Sequence, residues 1–270
     1  MLKYRLLTAL ILIPILLVII WFLPMPWFAI LIAAVIAWAA WEWSIFVGIN
    51  QTLYRLLYMF FVLAMLVVAY FLSVQWILTV ALLAWLWAFA AVVCYQLGKK
   101  PLGFQHPWVV AIMGVLALAP CWLAISVLRE DIGGPVWLLF ALVIVWAMDT
   151  GAYFAGKLWG KRKLIPQVSP NKTWEGFYGG IVLVFVIAFI VCLAFRVPFY
   201  RFMTICILSV VTALFAVVGD LFESMLKRQV GVKDSGSGLP GHGGILDRMD
   251  SIIAALPIFT LGSLLFSSFL

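Results

Sequence analysis

The sequence predicts an all-α integral membrane protein, a polytopic helical bundle of about nine transmembrane helices with its N-terminus in the cytoplasm. Three observations predict it. Hydrophobic residues make up 67% of the 270 positions and charged residues only 10%, with a mean hydropathy of +1.22. A soluble domain is roughly half apolar and about a quarter charged, so this much apolar surface needs a bilayer as its solvent. Apolar runs near the ~20 residues that a helical span requires then recur along the whole chain. Finally, the basic residues fall almost entirely on one side of the resulting topology.

The spans follow in order. The first covers 6–22. The basic start from Met1 to Arg5 ahead of an apolar run resembles a signal peptide. No small-residue cleavage site follows it, and the run passes directly into Leu23-Pro24-Met25-Pro26 and a further span, so it is expected to stay as a first helix. The others are expected at 27–47, 56–72, 74–95, 109–127, 135–155, 177–195, 202–219 and 251–269, with a very short turn between the third and fourth. About five spans thus fill an N-terminal region, 1–130. A C-terminal region, 131–270, holds the two longest polar stretches, 156–176 and 220–250.

With nine spans, fourteen of the seventeen basic residues lie on the side of the N-terminus, and only Arg129, Arg196 and Arg201 lie on the other. Cytoplasmic loops carry the excess of Lys and Arg, so both polar stretches are expected at the cytoplasmic face of the inner membrane. The net charge of +7 fits anionic lipid headgroups or phosphorylated substrates. Nucleic acid is not expected as a partner, because no basic helix or stacking platform stands clear of the spans. Cys94, Cys121, Cys192 and Cys206 lie in apolar runs without CxxC spacing and read as small buried hydrophobes.

Acids are rare enough here to be informative by position. Asp149 lies inside the sixth span, Asp220 ends the eighth, and Asp247 and Asp250 open the ninth. Three spans would bring carboxylates to one depth. Intramembrane acids persist where they line a wet cavity or bind something, and hard divalent cations take oxygen ligands, so the four read as a candidate Mg²⁺ site. The alternative is a set of interfacial acids paired with Lys227, Arg228 or Arg248, and Asp250 has a further one, capping the ninth helix. Asp220, Glu223, Ser224 and Lys227 fall on one helical face, where Glu223 and Lys227 could equally form an i,i+4 ion pair. Glu42, between Trp41 and Trp43, reads equally as a cavity residue or an interfacial one.

Two loops have the composition of phosphate binders. In Ser169-Pro170-Asn171-Lys172-Thr173, Ser169 followed by Pro170 predicts a helix start whose free N–H groups suit an anion. The second loop, from Lys233 and Asp234 to Gly244, has five glycines between 236 and 244 and includes His242 and Gly243; such a backbone can converge its N–H groups on phosphate. His242 has two equal readings, a phosphate donor or a turn organiser. The run Gly151 to Lys157 imitates a P-loop but lacks the final Ser/Thr, having Leu158, and follows a span instead of a strand.

From Ser224 to Asp250 the chain reads Ser-Met-Leu-Lys-Arg, four residues, Lys-Asp, then Ser-Gly-Ser-Gly-Leu-Pro-Gly-His-Gly-Gly-Ile-Leu-Asp-Arg-Met-Asp. This resembles the signature of the phosphatidate cytidylyltransferases (CDP-diacylglycerol synthases) of bacterial type. The stretch from Asp149 to Gly176 resembles the same family in its Asp-x-x-Ala-Tyr, Gly-Lys and Ser-Pro-x-Lys-Thr-x-Glu-Gly elements. The resemblance covers roughly the C-terminal half. It implies transfer of CMP from CTP to phosphatidic acid, with release of pyrophosphate, in phospholipid biosynthesis. It also implies Mg²⁺, a second cation with K⁺ as one candidate, surrounding membrane lipids and a homodimer. On that reading Asp220, Asp247, Lys227 and Arg248 are catalytic. Ser169, Lys172, Thr173, Ser224, Arg228, Lys233, Asp234, His242, Gly243 and Gly244 bind substrate phosphates, and Asp149, Asp220, Asp247 and Asp250 hold metal.

Overall fold

A computed structural model describes residues 14–131, 133–236 and 243–266. The chain is a helical bundle: α1 (14–22), α2 (Met25–Phe46), α3 (Thr52–Phe71), α4 (Val74–Gln96), α5 (Pro107–Glu130), α6 (Gly134–Trp159), α7 (Trp174–Ala194), α8 (Phe199–Val230) and α9 (Leu246–Leu265). Eight of these, α2 to α9, are long and apolar enough to cross a membrane. The expected first span falls partly on residues 6–13, outside the described residues, and His242 lies outside them too.

Every other expected span is found, and the differences lie at its ends. α6 runs to Trp159 and α8 to Val230, well past the expected 155 and 219, while α9 begins at Leu246, ahead of the expected 251. Helix propagation explains this. Once a helix is nucleated in the membrane, polar residues such as Glu223, Lys227 and Arg228 extend it at little cost. α8, with 32 residues, is about 48 Å long at 1.5 Å per residue, longer than the ~30 Å hydrocarbon core.

The expected helix start at Ser169-Pro170 is not found. Ser169–Thr173 is a strand, paired antiparallel with Lys163–Ile165 in a two-stranded hairpin that is the sole sheet among the described residues. We label these β1 (Lys163–Ile165) and β2 (Ser169–Thr173). Pro170 is compatible with this place because edge strands tolerate a missing N–H. The helix starts instead at Trp174, where the Thr173 hydroxyl accepts a hydrogen bond from Gly176 N at 3.1 Å. A Thr cap of this kind satisfies one of the free donors of the first turn.

Two packing features position the polar end. The first joins α6 to α7 through small residues. A Cβ added to Gly176 would lie 2.7 Å from the Ala152 carbonyl, and one on Gly151 would lie 2.8 Å from the Gly179 carbonyl. Close helix approach through glycine is a common device in membranes. The motif that imitates a P-loop is therefore helical packing surface, since Gly151 and Gly156 both face α7. Gly180→Val should lower the melting temperature in detergent, because its Cβ would lie 2.7 Å from the fixed Met148 carbonyl. Overpacking of this kind costs about 1–3 kcal/mol, and an unchanged melting temperature would contradict the close seam.

The second feature is an aromatic cluster. Trp43 of α2, Trp85 of α4, Phe104 and Phe222 of α8 are all essentially buried, and Phe222 meets the other three at centroid distances of 6.4, 5.8 and 4.9 Å. Such edge-on and tilted pairs add to the value of burial. They fasten the lower turns of α8 to the first half of the chain, so 1–130 and 131–270 share one hydrophobic core.

Candidate functional site

The polar residues gather at one end of the bundle, where α2, α4, α6 and α8 finish and α7 and α9 begin. The hairpin between α6 and α7 crosses this end and is held from three sides. Gln167 N donates to Gln96 Oε1 of α4 at 2.9 Å, Arg228 Nε of α8 donates to the Val168 carbonyl at 3.4 Å, and Lys172 of β2 forms an ion pair with Asp220 of α8. Glu175, which sequence reasoning passed over, fixes the approach to the hairpin by accepting from Lys161 N (3.0 Å) and Arg162 N (3.1 Å).

Asp220 is a meeting point. Its second oxygen partners the Lys172 ammonium, and Ser224 Oγ, one turn on, lies 3.4 Å from its first. Asp149 of α6 and Asp250 of α9 both stand within its electrostatic field. The backbone brings α9 this close: a Cβ on Gly219 would lie 2.9 Å from the Ala254 Cβ. The expectation that α6, α8 and α9 would present acids to one another thus holds for Asp149, Asp220 and Asp250. Asp250 is the fifth residue of α9, not its cap.

Asp247 has other company. Lys227 Nζ lies 2.6 Å from its Oδ1 and 2.9 Å from Glu223 Oε1, so one ammonium bridges two carboxylates. Both the i,i+4 pair and the longer-range pairing are realised. Ser235 N and Gly244 N also donate to Asp247, at 3.1 and 2.7 Å to Oδ2. Its oxygens are taken up by one ammonium and two backbone amides. Glu223 is 1% exposed, and beyond that ion pair its oxygens have no hydrogen-bond donor among the described residues.

A cavity of about 410 Å³ opens beside the Lys172–Asp220 pair. Asp149, Lys157, Asn171 and Lys172 line its polar part, and Met148, Phe177 and Val217 its apolar part. Asp149 is ten residues from the end of α6, about 15 Å at 1.5 Å per residue, and is solvent-accessible at that depth because it faces this cavity. Asn171 lies in the run that the sequence marks as a phosphate binder without being singled out there, and Lys157 was not picked out. A hydrophilic side chain on an amphipathic hairpin, and a lysine one turn past Tyr153, were the available signals.

The expected metal-site carboxylates fall into two groups, Asp149, Asp220 and Asp250 in one and Asp247 beside Lys227 and Glu223 in the other; among the described residues no group of three or more His, Cys, Asp or Glu side chains is close enough to hold an ion by itself. The physical reason is that Lys172 and Lys227 stand between the acids as internal counter-ions. Mg²⁺ needs only one or two protein carboxylates when substrate phosphates complete its shell. Asp220 with Asp149 and Asp250 fits that requirement in donor chemistry; Asp220 and Asp247 each carry a lysine counter-ion that a cation would displace. Thr173 is 7% exposed and lines the cavity; its hydroxyl accepts from Gly176 N in the α7 cap and keeps its own O–H to donate. Arg228 is drawn to the hairpin carbonyl. Ser169 is half-buried in β2, and Lys233, Asp234 and Arg248 are exposed.

Glu42 has an unambiguous place. It is 2% exposed and accepts from Trp38 Nε1 (3.2 Å), Ser235 Oγ (3.2 Å), Ile245 N (3.2 Å) and Leu246 N (2.8 Å).

Comparison with known proteins adds an independent line. The Cytidylyltransferase family model matches residues 3–266. A phosphatidate cytidylyltransferase of Pseudomonas aeruginosa is 41% identical over 260 residues, covering 96% of each chain. One of Haemophilus influenzae is 37% identical over 294 aligned positions, covering 96% of this chain and 98% of its own. One of Bacillus subtilis is 46% identical over 143 residues, about half of each chain.

Proposed function

Because this chain belongs to the cytidylyltransferase family, we propose that it makes CDP-diacylglycerol from CTP and phosphatidic acid at the cytoplasmic face of the inner membrane. A phosphate oxygen of the lipid attacks the α-phosphorus of CTP in line. The new P–O bond forms as the bond to the bridging α–β oxygen breaks, and pyrophosphate leaves with that electron pair. The attacking phosphate is already anionic, so no protein nucleophile or base is needed, and the task is positioning and charge neutralisation.

The observation that carries the reading is the cavity with two chemistries. Its Lys157, Asn171 and Lys172 suit phosphate, and its Met148, Phe177 and Val217 suit the glycerol end of a lipid rising from the bilayer. Lys172 and Lys227 are each paired with a carboxylate, so each ammonium would turn to an incoming phosphate as a cation takes over its carboxylate partner. Lys233 and Arg248, exposed nearby, would meet the departing pyrophosphate or the headgroup.

Asp220 with Asp149 and Asp250 would hold Mg²⁺, which supplies charge neutralisation for the phosphates when bound. A second cation, K⁺ among the candidates, would share the Asp250 and Glu223 side. The cytoplasmic orientation rests on the basic residues at this end of the bundle, against Arg129, Arg196 and Arg201 at the other. The proposal also includes a homodimer.

The test is direct. Purified protein in detergent, given labelled CTP, phosphatidic acid and Mg²⁺, should yield a lipid that carries cytidine, together with pyrophosphate. A phosphorylated lipid with CDP release would mean a lipid kinase, and no lipid product would sink the reading. Chelation by EDTA should abolish turnover and added Mg²⁺ should restore it; turnover that survives EDTA would remove the metal from the proposal.

A further inference from the structure

Glu42 belongs to α2, in the half of the chain that shows no resemblance to the catalytic signature. We infer that it is a positioning residue for the site, holding residues 235–236 and 244–245, on either side of the glycine-rich loop, and the start of α9 in register; this rests on the transferase reading above. Its carboxylate reaches the residues that flank this segment on both sides. Oε2 accepts from the Ser235 hydroxyl on one side and Leu246 N on the other, and Oε1 accepts from Ile245 N. The amides of 245 and 246 are donors at the first turn of α9, which no side chain of that helix caps. A buried anion at a helix N-terminus satisfies such donors and is favoured by the helix dipole.

The neighbouring backbone is shaped around this carboxylate. A Cβ on Gly236 would lie 2.8 Å from Glu42 Cδ, and one on Gly244 would lie 2.8 Å from the same atom. Asp247 then grips the same two strands of backbone from the other side, through Ser235 N and Gly244 N. The two carboxylates therefore sandwich the ends of the segment, and Lys227 sits on the Asp247 side. Glu42 touches neither Lys227 nor Asp220. Arg55 lies within its electrostatic field but bonds instead to Ser44 Oγ and the Trp41 carbonyl. Its four acceptor contacts all serve placement, and three of them serve the segment that carries Asp247.

The experiment compares Glu42→Gln with two reference variants, Trp38→Phe and Ile36→Ala, by kcat and KM for CTP and phosphatidic acid and by melting temperature. Gln keeps the shape but turns an amide toward donors that need an acceptor. A displacement of about 1 Å in a reacting assembly can cost ~10²-fold, so kcat should fall about 10- to 100-fold, with KM for phosphatidic acid changed far less. Trp38→Phe removes the one contact outside the segment and should leave kcat near wild type. Ile36→Ala empties part of the α2 core, where Ile36 is fully buried, and should lower the melting temperature while keeping kcat per folded molecule. Unchanged kcat in Glu42→Gln would overturn the inference. So would an equal loss in Ile36→Ala, because the effect would then be general loosening of α2. If Glu42→Gln is not recovered from membranes, Gly236→Ala pushes on the same contact from the loop, and it should show the same fall in kcat; normal turnover there would overturn the inference equally. A wild type inert toward CTP and phosphatidic acid would instead count against the transferase reading.

Discussion

Asp247→Ala should reduce CMP transfer by about 10³-fold, the scale seen when a preorganised polar contact is removed from an active site, while the protein still inserts and stays folded. Three contacts are lost together: the 2.6 Å ion pair to Lys227 and the amides of Ser235 and Gly244. Lys227 would not be left alone, because Glu223 remains 2.9 Å away, so the penalty for an orphaned buried charge is avoided. Its ammonium would instead swing wholly to Glu223, deeper in the protein, and away from the substrate. Steady-state kinetics of the purified variant, beside its size-exclusion profile, checks this. Near-normal kcat in a well-folded Asp247→Ala protein would show that the Lys227–Asp247 arrangement is not part of the machinery.

A loss of similar size, about 10³-fold, is expected for Asp220→Asn, where the removed charge also faces the reaction. Asp220 pairs with Lys172 across 48 positions of sequence and lies in the field of two further acids. The Lys172 and Asp220 side chains are 26% and 27% exposed, so a released Lys172 ammonium can be hydrated and the fold should survive. The double variant Asp220→Asn/Lys172→Ala separates two roles. If Asp220 only orients Lys172, the double variant should be no worse than Lys172→Ala alone. The proposed metal role requires it to be at least ten-fold worse, with an increased demand for Mg²⁺. Equality would restrict Asp220 to holding the hairpin.

Much of this arrangement was legible in the sequence because its signals are local. Each span is a contiguous apolar run, and the Asp220–Glu223–Ser224–Lys227 face follows from helical periodicity alone. The helix ends were less legible: nothing in the composition of 220–230 says that a helix should continue beyond the bilayer. The hairpin was misread because Ser-Pro resembles a helix start as strongly as an edge strand, and the deciding partner is Lys163–Ile165. Pairing of the acids with Lys227 was among the sequence expectations, but the counter-ion of Asp220 was hidden for a related reason: Lys172 meets it only after the hairpin has folded across α8. Glu42 was the hardest case, since the donors it serves are about 200 residues away and are backbone amides, which leave no mark on side-chain identity.

The length of α8 has a consequence for the membrane itself. From Phe199 to Asp220 the helix rises about 32 Å, close to the ~30 Å of a hydrocarbon core, and Asp149 is mounted about 22 Å from the start of α6 at the same rise per residue. With the opposite ends of these helices at the far interface, bilayer thickness would set how far each acid lies beneath the headgroups. A bilayer a few ångströms thicker would draw Asp220 into hydrocarbon or force the bundle to tilt, at a cost of fractions of a kcal/mol per ångström. Lipids of longer or shorter chain would then change the depth at which these carboxylates stand.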